Sequence, residues 1–173
     1  MIDKGCNPTD EFASYADNIK DIETGGEKFV CPAVINFSGS NNTTNINAKM
    51  LDVSNVVSMT NMFGSCTSLI SLDVSNWNTS NVVLMKNMFK NCSKIKELDL
   101  TSFDTSKVTD MSYMFESDSK LEYLNLGNWN TQSIKSASTF GSLLYNCSGL
   151  IELHWRNFCN GVNATAIMLN HCT

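Results

Sequence analysis

A step of 26 residues carries this chain onto itself: Ile46, Leu72, Leu98 and Leu124 head four successive units, and Leu153 heads a fifth after three extra residues. One unit runs Leu72, Val74, Trp77, Thr79, Ser80, Val82, Met85, Met88, Phe89, Cys92, Ile95. The next repeats it as Leu98, Leu100, Phe103, Thr105, Ser106, Val108, Met111, Met114, Phe115, Asp118, Leu121. The unit before fits the same frame through Ile46, Ala48, Leu51, Ser54, Val56, Met59, Met62, Phe63, Cys66 and Leu69. A fixed period of this length restricts the fold sharply, because a unit so short cannot bury its apolar face alone and must stack on its neighbours.

Within a unit, Leu72 and Val74 alternate with Asp73 and Ser75, which predicts a short strand with the apolar pair inward. Val82, Met85, Met88 and Phe89 follow at spacings of three and four, predicting a short helix or helical turn on the opposite side, with Thr79 and Ser80 as its cap. The expected architecture is therefore an α/β repeat: a solenoid with one parallel sheet of short strands and short helices or turns opposite. It occupies 46–173 as about five units. In the fourth unit Ile134, Ala137 and Phe140 keep the frame, which puts the extra residues between Phe140 and Leu144 as a bulge. In the fifth, Leu153, Trp155 and Phe158 are in place, but the remainder is one residue short before Leu169 and Cys172. No polar capping unit follows, so this C-terminal end is a candidate for self-association or for covering by a partner. Residues 1–45 are expected to form an N-terminal cap. Its parts are a helix over about 8–23 (Asn7 and Pro8 opening it; Phe12, Tyr15, Ala16, Ile19 and Ile22 as its stripe), a strand region over about 29–37 and a polar loop over 38–45.

Composition removes several functions. Of 173 residues 42% are hydrophobic and 17% charged, enough for a core beneath a weakly charged polar surface. A net charge of -5, with 12 scattered Lys and Arg, gives no basic footprint for nucleic acid. No run reaches the length of a membrane span, so membrane insertion is not expected, and Met1 to Gly5 has no charged-then-apolar signal pattern.

The phrases LDVSNWNTSNVVLMKNMFKNCSKI and LDLTSFDTSKVTDMSYMFESDSKL resemble the bacterial surface-protein 26-residue repeat, a leucine-rich-repeat relative of Mycoplasma lipoproteins and of BspA-like and Listeria surface proteins. Leu-x-Leu, the Asp/Asn-Thr-Ser step, Val-x-x-Met-x-x-Met-Phe and the Cys-x-x-Leu/Ile ending carry the resemblance, over 46 to about 153 and more weakly to 173. It implies an extracellular or cell-surface binding solenoid without catalytic activity. It lends no functional residues, since the motif is made of core positions.

Candidate sites are therefore weighed from the residues themselves. Cys66, Cys92, Cys147 and Cys172 share one column, with Asp118 in place of a fifth. One sulfur per coil and no C-x-x-C favour a buried ladder over a metal site. Cys6 and Cys31 are a candidate disulfide in the cap, and Cys159 is expected unpaired. His154 and His171 have no nucleophile motif beside them, and there is no phosphate loop, so neither an enzyme nor a cofactor is expected. Asp52, Asn78, Asp104 and Asn130 form a column that suits turn backbone better than Ca²⁺. The column Leu51, Trp77, Phe103, Trp129, Phe158 reads as core rather than as a sugar platform. What remains is the outward strand face: Asn47, Asp73, Asp99, Asn125 and His154 in one column, Lys49, Ser75, Thr101, Gly127 and Arg156 in the next. Asp73, Ser75, Asp99, Thr101, Asn125, His154 and Arg156 are the candidate contacts for a protein or glycan ligand. Two functions compete: a surface adhesion module, and a structural or host-contacting component of a larger assembly such as a phage virion.

Overall fold

The computed structural model describes residues 29–39, 41, 44–46, 48–127 and 129–156. The expected helix over about 8–23 lies outside these residues, as do Cys6, Asn47, Phe158, Cys159, Leu169, His171 and Cys172. Among the described residues seven strands follow one another: β1 (Phe29–Val30), β2 (Asn45–Ile46), β3 (Leu51–Asp52), β4 (Ser71–Leu72), β5 (Glu97–Asp99), β6 (Tyr123–Gly127) and β7 (Glu152–Trp155). All pairings are parallel, and the unit heads meet as the period requires: Ile46 faces Leu72, and Leu98, Leu124 and Leu153 lie in line.

The single sheet expected from the sequence is instead three short ones, β1 with β3, β2 with β4, and β5–β6–β7. Asx turns follow β4 and β5. Two residues after Asp73 and Asp99, the amide that would continue the ladder bonds back to the carboxylate, Ser75 N–H to Asp73 Oδ1 at 3.1 Å and Thr101 N–H to Asp99 Oδ1 at 3.0 Å. A separate line of bridges, Val34 to Ser58 to Leu84 to Asp110, ties the coils together elsewhere. Residues 31–39 form a layer of the same stack, with Cys31 N–H bonded to Asp52 O and Phe37 N–H to Met62 O.

The side opposite the strands is made of turns, and no α-helix occurs among the described residues. From Met59 to Cys66 successive amides take two routes. Those of Met59, Asn61, Phe63 and Ser65 reach the next coil at Leu84, Lys86, Met88 and Lys90. Those of Met62, Gly64 and Cys66 close local turns onto the residue three before. The following unit repeats this, with Met85, Asn87, Phe89 and Asn91 bonded to Asp110, Ser112, Met114 and Glu116. A helix is excluded because one residue in four adopts positive φ: Asn61 and Ser65, Asn87 and Asn91, Tyr113 and Ser117, Ser142 and Asn146. The apolar spacing of three and four reports the local turns, not a helix.

Stacking lays like on like. Phe37, Phe63, Phe89 and Phe115 form a continuous near-parallel column with ring centroids 5.5, 5.5 and 5.6 Å apart. Trp77, Phe103 and Trp129 form a second at 6.1 and 6.2 Å, ended by Trp155 set edge-on to Trp129. Each such pair adds about 0.5–1.5 kcal/mol beyond area burial. Both indole N–H groups are satisfied, Trp77 Nε1 by Ala48 O at 2.8 Å and Trp129 Nε1 by Leu100 O at 2.9 Å. The threonines expected to cap helices join coils instead. Buried Thr79 donates to Asp104 O and accepts from Asp104 N–H, and Thr105 does the same with Asn130.

The insertion also falls earlier than expected. Met111 N–H bonds Thr139 O, as Met85 N–H bonds Asp110 O, so Phe140 stands in Met111's place and Leu144 in Phe115's. The extra residues form a 3-10 turn at Ala137–Thr139 capped by Ser136, and Ala137 is exposed rather than in the core. Apolar spacing cannot locate an insertion in Lys135 to Thr139, a stretch whose one apolar residue, Ala137, points outward.

Asn91→Ala is expected to lower unfolding free energy by about 1 kcal/mol, because alanine resists the left-handed conformation at φ 60°. Asn91→Gly should cost markedly less; paired urea titrations measure the difference.

Candidate functional site

Four of the expected contact residues converge. Asp73, Ser75, Asp99 and Thr101, with Leu72, Val74 and Ser102, line an open groove of about 440 Å³ on the strand face. The Asx turns after β4 and β5 also fix this surface. Each carboxylate accepts from the amide two residues on and from the hydroxyl there, Ser75 Oγ to Asp73 at 2.7 Å and Thr101 Oγ1 to Asp99 at 2.7 Å. Two adjacent coils thus present the same carboxylate and hydroxyl constellation one strand spacing apart.

The groove is electrostatically anchored at its N-terminal side. Lys49 Nζ lies 2.6 Å from Asp73 Oδ2, and both side chains are about half exposed (54% and 52%). The Lys49 ammonium, then the Ser75 hydroxyl and amide, hold the Asp73 carboxyl down at about 2. Asp73 therefore stays ionised at any ordinary pH, and its stabilising effect is present above the usual carboxyl range and fades only as pH falls toward 2. Solvent screening limits that effect to about 1 kcal/mol or less. Asn125 extends the column, its Nδ2 donating to Asp99 Oδ2 at 3.4 Å.

Beyond Asn125 the face changes. His154 sits opposite Asn125 in the ladder, but its ring tilts against Tyr123 at 5.5 Å and Nε2 contacts Glu152 Oε1 on its own strand. Gly127 takes the place of Ser75 and Thr101 with φ 56°, and a Cβ there would meet Thr101 Cγ2 at 3.1 Å. A bulge at Leu126 then sets Trp155 opposite Gly127, so Arg156 is not level with Gly127, as its spacing predicts, but one step past it. The groove therefore comprises Asp73, Ser75, Asp99 and Thr101; Asn125 and His154 flank it, and Arg156 lies apart. Sequence reading missed Ser102 in the groove wall, the ion pair of Lys49, and the Glu152 and Tyr123 contacts that hold His154. For Lys49 the signal was available, a cation and a carboxylate on adjacent coils of one face.

The other columns have structural roles. Asp52, Asn78, Asp104 and Asn130 each accept the amide two residues on, from Ser54, Ser80, Ser106 and Gln132. Ser106's hydroxyl and amide also lower the Asp104 pKa. The thiols of Cys66, Cys92 and Cys147 are buried and donate to Phe37, Phe63 and Phe115 carbonyls. Burial drives the Cys92 thiol far above the ordinary thiol range, so it is neither a nucleophile nor a ready ligand. Cys31 is buried; its candidate partner Cys6 is not among the described residues. The rings of Trp77, Phe103 and Trp129 are core.

Parallel strands at a 26-residue interval and leucine-headed coils define a bacterial surface-type repeat. Residues 34–148 match the family described as "Mycoplasma protein of unknown function, DUF285", and the chain belongs to that family. No curated protein matches. Among solved structures, a leucine-rich cell surface protein of Faecalibacterium prausnitzii A2-165 aligns at 18% identity with a TM-score of 0.49. The alignment covers 83% of this chain, which spans 35% of the length of that protein. No helix among the described residues is long and apolar enough to cross a membrane.

Lys49→Ala should raise the Asp73 carboxyl from about 2 toward the ordinary value while leaving the Ser75 bonds intact. Carboxyl carbon chemical shifts followed through acid titration report both values.

Proposed function

We propose that this chain is part of a non-catalytic solenoid displayed on a bacterial surface, and that it recognises a protein or glycan partner through the strand face. The observation that carries the reading is the groove at Asp73, Ser75, Asp99 and Thr101. Its polar side chains are held in place by their own coils before any ligand arrives, which lowers the ordering cost of binding. Family membership supports a repeat protein rather than an enzyme. The chemistry of the groove agrees: fixed carboxylates and hydroxyls accept hydrogen bonds from sugar hydroxyls or from lysine and arginine side chains. The stacked geometry offers that pattern on successive coils, the manner in which repeat proteins build an extended contact.

The test uses the purified chain against a panel of immobilised glycans and extracellular-matrix proteins. Asp73→Lys with Asp99→Lys is expected to weaken any saturable binding at least about tenfold, the scale of losing one or two charge-assisted contacts. Lys86→Glu, on the exposed turn side, should leave it unchanged. Equal affinity of the double variant and the wild type would remove the strand face from the account.

A further inference from the structure

The thiol column is broken once, and the break is chemically informative. Cys66 Sγ donates to Phe37 O at 3.2 Å, Cys92 Sγ to Phe63 O at 3.0 Å and Cys147 Sγ to Phe115 O at 2.9 Å. In the coil between the last two, Asp118 occupies the thiol's place, and Phe89 holds the position of the accepting phenylalanine. The Asp118 side chain is fully buried. Its Oδ1 accepts the Cys92 N–H at 2.7 Å, while Oδ2 is buried without a hydrogen-bond partner.

An ionised carboxylate suits this place badly. It would have one protein donor for two oxygens, and a carbonyl oxygen on the side where the other coils offer a thiol hydrogen. A carboxylic acid suits it well: Oδ1 keeps the Cys92 amide and Oδ2 carries a hydrogen for the carbonyl. We propose that Asp118 is a neutral acid in the folded protein, its Oδ2–H donating to the Phe89 carbonyl as the thiols do, so that the coil stack is proton-linked and loosens as pH rises.

Among the described residues no cation compensates it. Its column neighbours are the thiols of Cys92 and Cys147. Glu116, two residues before it, is paired with Lys90 at 2.8 Å, and Lys94 and Lys120 are exposed. Burial raises the Asp118 pKa well above the ordinary carboxyl value, opposed only by the Cys92 amide. The sign follows. The folded group binds its proton more tightly than the unfolded one, whose pKa is about 3.9. The stability that Asp118 contributes is therefore full below about pH 4 and falls as pH climbs toward the folded value, by up to a factor of about ten in the unfolding constant per pH unit.

Urea unfolding at about pH 5, 6 and 7 tests this with Asp118→Cys, which restores the column, and Asp118→Asn, which keeps a donor without titrating. The wild-type unfolding constant, divided by that of either variant, should rise with pH, by up to about tenfold per pH unit. A ratio that is flat with pH overturns the proposal. Should neither variant fold, infrared spectra of the wild type decide: a buried protonated-carboxyl band persisting at neutral pH supports it, and an ionised band overturns it.

Discussion

Backbone amides that reach across to the next coil are the contact on which the rest of this molecule depends. In each unit about half the amides of the turn side leave their own coil, as from Phe63 to Met88 and from Phe89 to Met114. Packing coils out of this offset would bury those groups unpaired, at about 1–3 kcal/mol apiece. Coils therefore form together. Once the crossing amides fix the 26-residue offset, every equivalent side chain must lie on its counterpart. Rings then stack on rings, thiols follow thiols, and threonine hydroxyls clip neighbouring backbones.

The strand face inherits its order from the same constraint. Short Asx turns follow β4 and β5, so Asp73 and Asp99 are oriented by Ser75 and Thr101 rather than left to solvent. Stacking copies that arrangement at strand spacing, and Lys49 adds a fixed charge at one side. At the other side the bulge, Gly127 and Trp155 end the pattern. A repeat that builds a core by copying side chains inward thus builds a regular polar surface by copying them outward.

Much of this was legible in the sequence, and the rest was not for identifiable reasons. The period fixes register, so the meeting of Ile46 with Leu72 and of Leu98, Leu124 and Leu153 could be read directly, as could the inward Val74 and outward Asp73. Helix and turn were not distinguishable, because apolar spacing of three and four fits both. The signal that separates them is the asparagine or serine at positive φ in Asn61, Ser65, Asn87 and Asn91, a backbone property hidden behind ordinary polar residues. Thr79 and Thr105 looked like caps because a hydroxyl before an apolar run reads the same whether it bonds its own turn or the next coil. Arg156 was misplaced because a one-residue bulge leaves no trace in spacing. The groove was legible as a set of outward columns, but its extent was set by that bulge and by Gly127.

Amide hydrogen exchange resolved by residue, measured under native conditions, tests the central claim most directly. If crossing amides hold the stack, those of Phe63, Asn87, Phe89 and Phe115 should exchange slowly and with a common opening free energy near that of global unfolding, whatever coil they belong to. Fast or coil-by-coil exchange at these amides would contradict it, and would mean that the coils are held by side-chain packing alone.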